Sequence, residues 1–278
     1  MAATKSIRLL SWNVNGLRAA LGKGFLDWLQ QDKPDLLALQ EVRALPEQLP
    51  GHLVESLDAL GYRHVWHPAA RPGYSGTAIL SRLGGEGFAG LGALDPSLAQ
   101  WDDEGRVSGW RLGSLLVLGV YFPNGKSSDE RLAYKLAFYE MFQAFCEARQ
   151  RAGDRLVVCG DVNTAHREID LARPQENRAV SGFLPVECAW LDRFTGGRGQ
   201  PAGHKWPGLV DSFRHLHPDE QGRYSWWSQR GGARSRNVGW RLDYFFVTPD
   251  LLPALMGAEI LDQVTGSDHC PVELVLAL

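Results

Sequence analysis

The chain has 278 residues, 44% of them hydrophobic and 10 of them Trp, enough to bury roughly three quarters of the unfolded surface in one large core. Lys and Arg number 29 against 32 Asp and Glu, a net charge of -3, so bulk charge does not announce a nucleic-acid binder and the placement of charge matters more. Cys146, Cys159, Cys188 and Cys270 show neither CxxC pairing nor zinc-like spacing, which argues against a disulfide scaffold or zinc module and predicts reduced thiols.

The first residues carry no apolar signal core, and the longest apolar run, 115–122, is too short to span a bilayer. A soluble, cytoplasmic protein is expected, with a single domain over 1–278 because no linker divides the chain. Residues 7–13 read as a strand ending in Asn13, followed by Val14, Asn15 and Gly16. A helix over 25–31, with Phe25 and Leu29 on one face, leads through Pro34 to a second strand, 35–40, with Glu41 at its end. α/β packing gathers such polar strand tips at one sheet edge. The spacing of Leu53, Leu57 and Leu60 predicts a helix over 50–60 that stops at Gly61. Strands follow at 62–67 and 77–81, joined by a glycine-flanked loop, 71–76, of a kind whose backbone amides suit a phosphate. Residues 84–103 have no clear pattern and read as irregular edge structure. Residues 107–112 and 115–121 read as antiparallel neighbours, the second ending in Tyr121. Ser127 and Glu130 have capping-box spacing ahead of the longest helix, 129–151, whose apolar face of Leu132, Leu136, Tyr139, Phe142 and Phe145 reads as core.

The stretch 156–163, Leu-Val-Val-Cys-Gly-Asp-Val-Asn, is the most informative. It is a buried strand running into a carboxylate and an amide two residues apart, so Asp161 and Asn163 are held rigidly and point the same way. A helix is expected near 184–194, and short strands at 209–215 and 224–227. The strand 241–247 carries Asp243 among aromatics, where a carboxylate is costly unless it is paired. The final strand, 272–276, is preceded by Asp268 and His269. Between residues 193 and 241, nine Lys/Arg stand against three Asp/Glu, a local excess of six. That excess is either a solvated basic loop or a phosphate-binding face.

Oxygen donors dominate these polar tips, which favours a hard cation, Mg²⁺ or Mn²⁺, over zinc. His269 is suited to an oriented pair with Asp243. A metal, a His-Asp pair and a carboxylate-amide tip together point to attack of water on a phosphodiester.

In chain order the sequence carries Ser-Trp-Asn-Val-Asn-Gly-Leu-Arg18, Leu-Gln-Glu41, Gly-Tyr-Ser-Gly76, Glu-Gly-Arg106, Tyr-Phe-Pro-Asn124, Gly-Asp-Val-Asn-Thr-Ala-His166, Ser-Gly-Phe-Leu-Pro185, Asn-Val-Gly-Trp-Arg-Leu-Asp-Tyr-Phe245 and Gly-Ser-Asp-His-Cys-Pro271. With these motifs, nearly the whole chain resembles the exonuclease III-type apurinic/apyrimidinic endonucleases of the endonuclease/exonuclease/phosphatase superfamily. The resemblance implies a four-layered α/β sandwich, two packed mixed β-sheets flanked by helices. It implies a Mg²⁺-dependent enzyme, with Mn²⁺ as a substitute, that nicks DNA 5′ to abasic sites and trims 3′ ends. Its partner would be double-stranded DNA carrying abasic sites or blocked 3′ ends, and a monomer is expected. Glu41 matches the principal metal ligand, with Asn13, Asp161, Asn163 and Asp268 around the ion. Asp161 would orient or deprotonate water, Asn163 would hold the phosphate or nucleophile, His269 with Asp243 would bond the scissile phosphate, and Tyr121 would touch the phosphate or assist the leaving group. Trp226, Trp240 and Leu242 match an apolar pocket for a flipped-out abasic sugar, and Arg18, Lys23, Tyr74, Arg106 and Asn237 match DNA-backbone contacts. Asn15 stands where some members carry Asp. Rival readings are a mainly 3′-5′ exodeoxyribonuclease with weak AP endonuclease activity, a phosphoesterase acting on phosphoinositides, sphingolipid or RNA tails, and a DNA-binding module without catalysis.

Overall fold

The computed structural model describes residues 6–197, 199 and 205–278. Arg198, one of the nine basic residues counted above, lies outside the described residues. The apolar runs become β1 (Ser6–Asn13), β2 (Leu36–Gln40), β3 (Arg63–His67) and β4 (Thr77–Ser81). Next come β5 (Glu86–Ala89), β6 (Val107–Leu112), β7 (Leu115–Tyr121) and β8 (Arg155–Asp161). Two-residue strands follow at β9 (Val210–Asp211), β10 (Trp226–Trp227) and β11 (Gly239–Trp240), and β12 (Asp243–Val247), β13 (Leu255–Ile260) and β14 (Val272–Ala277) complete the set. They build two six-stranded sheets, ordered β13-β14-β1-β2-β4-β3 and β5-β6-β7-β8-β12-β9, while β10 and β11 pair separately.

Within each large sheet one parallel pair lies at the centre, β1 with β2 and β7 with β8. Parallel strands bring their carboxyl ends together, so Asn13 lies opposite Gln40 and Tyr121 opposite Asp161. β12 runs antiparallel to β8 and sets Asp243, its first residue, opposite Asp161, the last residue of β8. Tyr121, Asp161 and Asp243 therefore form one row across three strands. Gly160 makes the row possible: its φ is +139°, and a Cβ there would lie 1.8 Å from the Val120 carbonyl oxygen.

The inner faces of the sheets share a core that includes Leu9, Leu36, Ala38 and Ile79 from one sheet and Val117, Val157, Phe245 and Val247 from the other. Helices α1 (Leu17–Leu21), α2 (Phe25–Asp32) and α3 (Gly51–Ala59) cover the outside of the first sheet through Leu17, Phe25, Leu29, Leu53 and Leu57. α4 (Asp129–Arg151) covers the second with Phe138, Tyr139, Phe142, Phe145 and Cys146. After the short α5 (Pro174–Asn177), α6 (Pro185–Phe194) packs beside α4 by stacking Trp190 on Tyr139 at 3.9 Å between ring centres. The short α7 (Ser212–Leu216) follows β9. This is the expected four-layered α/β sandwich, and no helix among the described residues is long and apolar enough to cross a membrane.

Four local expectations change. The α4 cap is Ser128, not Ser127: Ser128 has extended backbone and its hydroxyl accepts from the Arg131 amide at 3.3 Å. The buried face of α4 includes Lys135 and Phe138, whereas Leu132 and Leu136 are only half-buried. Within 84–103, β5 pairs with β6, a four-residue edge strand whose Gly87 dilutes the alternation. The expected strand over 209–215 lasts two residues before Asp211 accepts from the Arg214 amide at 3.1 Å and starts α7.

Candidate active site

Strand ends deliver the polar residues, and the backbone just beyond them turns them inward. Asn15 (φ 47°), Glu41 (φ 51°) and Asn163 (φ 55°) all adopt left-handed conformations, which non-glycine residues enter at a cost and which concentrate at functional sites. The Asn13 amide nitrogen lies at the centre, donating to Glu41 Oε1 at 2.9 Å and to Asp161 Oδ2 at 2.9 Å. Its oxygen accepts from the Asn15 amide at 3.0 Å. Glu41 also pairs with Arg43. Asp161 accepts from the Asn163 backbone amide at 2.8 Å and from its side chain at 3.3 Å.

His269 faces this cluster from the turn before β14. Its Nδ1 lies 2.8 Å from Asp243 Oδ2, and its Nε2 lies 3.9 Å from Asp161 Oδ2. Ser225 fixes Asp243 by donating to the same Oδ2 at 2.7 Å. Asp243 is thus the partnered buried carboxylate that the sequence demanded. Burial, and then the carboxylates of Asp243 and Glu41, push Asp161 up to about 7 against the pull of His269. Burial disfavours the imidazolium, but Asp243 and then Asp161 outweigh it and raise His269 to about 10. Burial likewise pushes the Tyr121 phenol well above its usual range, reinforced by Glu41 and Asp161, while the Arg106 guanidinium lies 5.0 Å from its ring centre.

Asp161, Asp243 and His269 offer ligand atoms within 4.8 Å of one another, a grouping able to hold a metal ion. A His269 that is protonated and bonded to Asp243 has no lone pair to give, so a hard cation fits better on the Glu41 side. There, two carboxylates share a single Asn13 amide and repel each other, which suits oxygen-loving divalent ions. Asp268 adds a third carboxylate, held by Asn15 Nδ2 at 2.8 Å and Trp226 Nε1 at 3.1 Å. Asn15 thus acts as a donor, a role that Asp could not fill while ionised.

Trp226 and Trp240 meet edge to face at 6.5 Å, beside Leu242 in an apolar cluster that also contains Phe183 and Leu171. Trp240 and Leu242 are buried and Trp226 half-buried. Phe183 lies in the Ser-Gly-Phe-Leu-Pro motif but was assigned no role from sequence. Of the expected DNA-backbone residues, Arg18, Lys23 and Asn237 are exposed and Tyr74 is half-buried. Arg106 differs. It is 1% exposed, and its guanidinium donates to Glu104, the Tyr74 hydroxyl and the Tyr121 carbonyl at 2.7, 3.0 and 2.8 Å. It supports two tyrosines and has no donor left at the surface.

The basic stretch also divides. Arg193, Arg214, Arg223 and Arg241 are held in ion pairs, whereas Arg230, Arg234 and Arg236 have no carboxylate partner among the described residues. Two buried pairs could not be foreseen. Lys135 and Glu187, both 0% exposed, meet at 2.7 Å, and Lys135 also donates to the Asn163 carbonyl at 2.9 Å. Asp170 binds Arg241 at 2.8 Å and Arg214 at 2.7 Å behind Trp240 and Leu242.

The profile of the Endonuclease/Exonuclease/phosphatase family matches residues 10–269. The chain is 39% identical to the exodeoxyribonuclease of Bacillus subtilis over 273 residues, covering 97% of this chain and 99% of that one. It is 36% identical to the DNA repair nuclease APEX1 of Danio rerio, covering 98% and 83% of the two chains. An AP endonuclease structure from Archaeoglobus fulgidus superposes with a TM-score of 0.81 at 27% identity, covering 98% of this chain and all of the other. With its sheets, its row of strand tips and these relatives in agreement, the chain belongs to the endonuclease/exonuclease/phosphatase family, among its exonuclease III-type AP endonucleases.

Proposed function

We propose that this nuclease hydrolyses the backbone of double-stranded DNA on the 5′ side of abasic sites, as a monomer, and also removes or trims blocked 3′ ends. The observation that carries the reading is the buried Asp243–His269–Asp161 array, 2.8 and 3.9 Å between successive partners, beside an aromatic pocket. Asp243 orients the imidazole, and His269 Nε2 is the donor for a non-bridging oxygen of the scissile phosphate, where negative charge grows during attack. Asp161 Oδ2 is the acceptor for the proton of the attacking water, and Asn163 steadies that water or the phosphate. Tyr121, kept protonated by its surroundings, touches the phosphate or helps the leaving oxygen. Mg²⁺, or Mn²⁺ in its place, would be held by Glu41 with Asn13, Asp161, Asn163 and Asp268 close by, and when bound it supplies charge stabilisation to the phosphoryl oxygens.

Selectivity follows from the pocket. Trp226, Trp240 and Leu242 offer an apolar surface suited to a bare sugar, and a nucleotide without its base is cheap to extrude. Arg18, Lys23, Tyr74 and Asn237 would position the duplex without reading its sequence. The test is an end-labelled duplex with one abasic-site analogue, incubated with Mg²⁺ beside an EDTA control and an undamaged duplex. A single metal-dependent nick 5′ to the lesion supports the reading. A ladder shortening from 3′ ends on both duplexes would instead make the enzyme chiefly an exonuclease, and no cleavage with Mg²⁺ or Mn²⁺ would refute both.

A further inference from the structure

Lys126 lies in the connection between β7 and α4 and has no part in the roles above. Its ammonium sits 5.4 Å from the ring centre of Trp226 and 5.2 Å from that of Trp240, over the edge-to-face corner that forms the candidate sugar pocket. The turn that carries it is fixed to the catalytic tip: the Lys126 amide donates to Asn124 Oδ1 at 2.9 Å, and Asn124 Nδ2 donates to Asn163 Oδ1 at 2.9 Å. Among the described residues no carboxylate pairs with its ammonium. The tip of an exposed lysine has therefore come to rest on two indoles without an ion-pair partner, Asp161 and Glu187 acting on it only through space.

A cation over an aromatic face gains about 0.5–1 kcal/mol at an exposed site. A hydrogen bond to an ionised partner contributes about 1.5–3 kcal/mol, so the preference of the ammonium reverses once a phosphate comes within reach. A sugar seated in the Trp226–Trp240 corner brings its own flanking phosphate, and it also needs the space that the ammonium covers. We propose that Lys126 is a substrate-contacting, specificity-determining residue that covers the aromatic pocket of the free enzyme and swings onto the phosphate beside the extruded sugar when an abasic nucleotide enters. This rests on the pocket reading given under Proposed function. The residue is a sensor of pocket occupancy: its contact with the duplex is completed only when a nucleotide has left the stack.

The experiment compares wild type, Lys126→Ala and Lys126→Arg on the abasic duplex with Mg²⁺ across a salt series, with melting temperatures to confirm folding. Lys126→Ala is expected to raise KM about tenfold with kcat within a factor of about two, as loss of one charged hydrogen bond implies. The slope of log kcat/KM against log salt should become shallower by about 0.9, the value for one phosphate contact, and Lys126→Arg should restore most of both. Unchanged KM and slope in Lys126→Ala would overturn the proposal, as would a loss confined to kcat, which would mean that the residue acts through Asn163. A wild-type enzyme that leaves the abasic duplex intact while digesting 3′ ends would instead overturn the pocket reading on which it stands.

Discussion

Lys135→Met should be among the most damaging single substitutions outside the reacting groups. Lys135 and Glu187 are both fully buried and meet at 2.7 Å, so removing the cation strands a carboxylate in the core. Glu187 would keep hydrogen bonds from the Ser181 hydroxyl and the Gly182 and Leu184 amides, at 2.7, 2.6 and 2.9 Å, but would lose its ion-paired cation. Breaking a buried pair from one side costs about 3–5 kcal/mol, a large fraction of the roughly 5–15 kcal/mol that holds a domain together. Neutralising both partners, as in Lys135→Met with Glu187→Gln, should recover most of that loss, because the hydrogen bonds to Glu187 are then made to a neutral amide. Urea unfolding should show the single variant's midpoint falling with its slope unchanged and the double variant's midpoint recovering. The same substitution removes donors from the Asn163 carbonyl and the Thr164 hydroxyl, at 2.9 and 2.8 Å. In both variants kcat should therefore fall more than KM rises if Asn163 holds the phosphate or water as proposed. A cost below about 1 kcal/mol for Lys135→Met, the range of a surface pair, would refute the reasoning. A double variant no more stable than the single would refute it too.

Three further outcomes are expected. Asp161→Ala and His269→Ala should each slow single-turnover cleavage by at least roughly a hundredfold while leaving duplex binding nearly intact; near-normal turnover in either would mean that its role is misassigned. Asp170, although buried, is lowered to about 2 by Arg241 and Arg214. A depressed folded-state value means that the unfolded chain binds more protons between pH 4 and 2. Stability from this group is thus complete above about pH 4 and lost as pH falls toward 2, on the order of 2 kcal/mol. Urea midpoints measured from pH 5 to 2 should fall less steeply in Asp170→Asn, and identical slopes would exclude the effect. Asn15→Asp replaces a donor 2.8 Å from Asp268 with a second carboxylate. It should lower the melting temperature in EDTA, and Mg²⁺ should narrow the gap; equal melting temperatures in EDTA would show that Asn15 does not hold Asp268.

The strand tips were legible in the sequence because a buried strand has a strict period and a sudden end, so Asn13, Glu41, Tyr121 and Asp161 announced themselves as polar residues where apolar runs stop, and Asp243 as a carboxylate inside an aromatic strand. That such tips gather at one edge could be expected from α/β packing, but the register that aligns Tyr121, Asp161 and Asp243 could not. What stayed hidden has a common physical form: charged residues buried against partners far along the chain. Lys135 sits in a helix where a lysine normally means solvent, and its partner is 52 residues away. Arg241 looked like part of a basic face, yet its guanidinium is spent on Asp170 and Asp211. Arg106 matches a DNA contact by type and position, whereas Glu104 and two tyrosines enclose it. Type and spacing suggest what a charge can do. Only the fold tells whether water or DNA can reach it.

The site concentrates Asp161, Asp243 and Asp268 around one imidazole with Glu41 beside Asp161, a grouping that would drift apart on mobile loops. Its rigidity comes from the hydrogen-bond ladder continuing past the strand ends. Beyond β1 and β2, Val14 donates to the Gln40 carbonyl, Gly16 to Glu41 and Leu17 to Val42, at 3.0, 2.8 and 3.0 Å. Beyond β7 and β8, Phe122 donates to Asp161 and Val162 to Leu242, at 2.9 and 2.8 Å. Left-handed Glu41 and Asn163 sit inside these stitched segments, so their unfavourable backbone is held by neighbours that cannot relax without breaking ladder bonds. The reacting groups are then in place before DNA arrives, and binding energy need not be spent on assembling them. What remains free to respond is Lys126 over its two indoles. On the proposed function, discrimination between damaged and intact DNA would belong to the aromatic pocket and Lys126, and the chemistry to the strand ends.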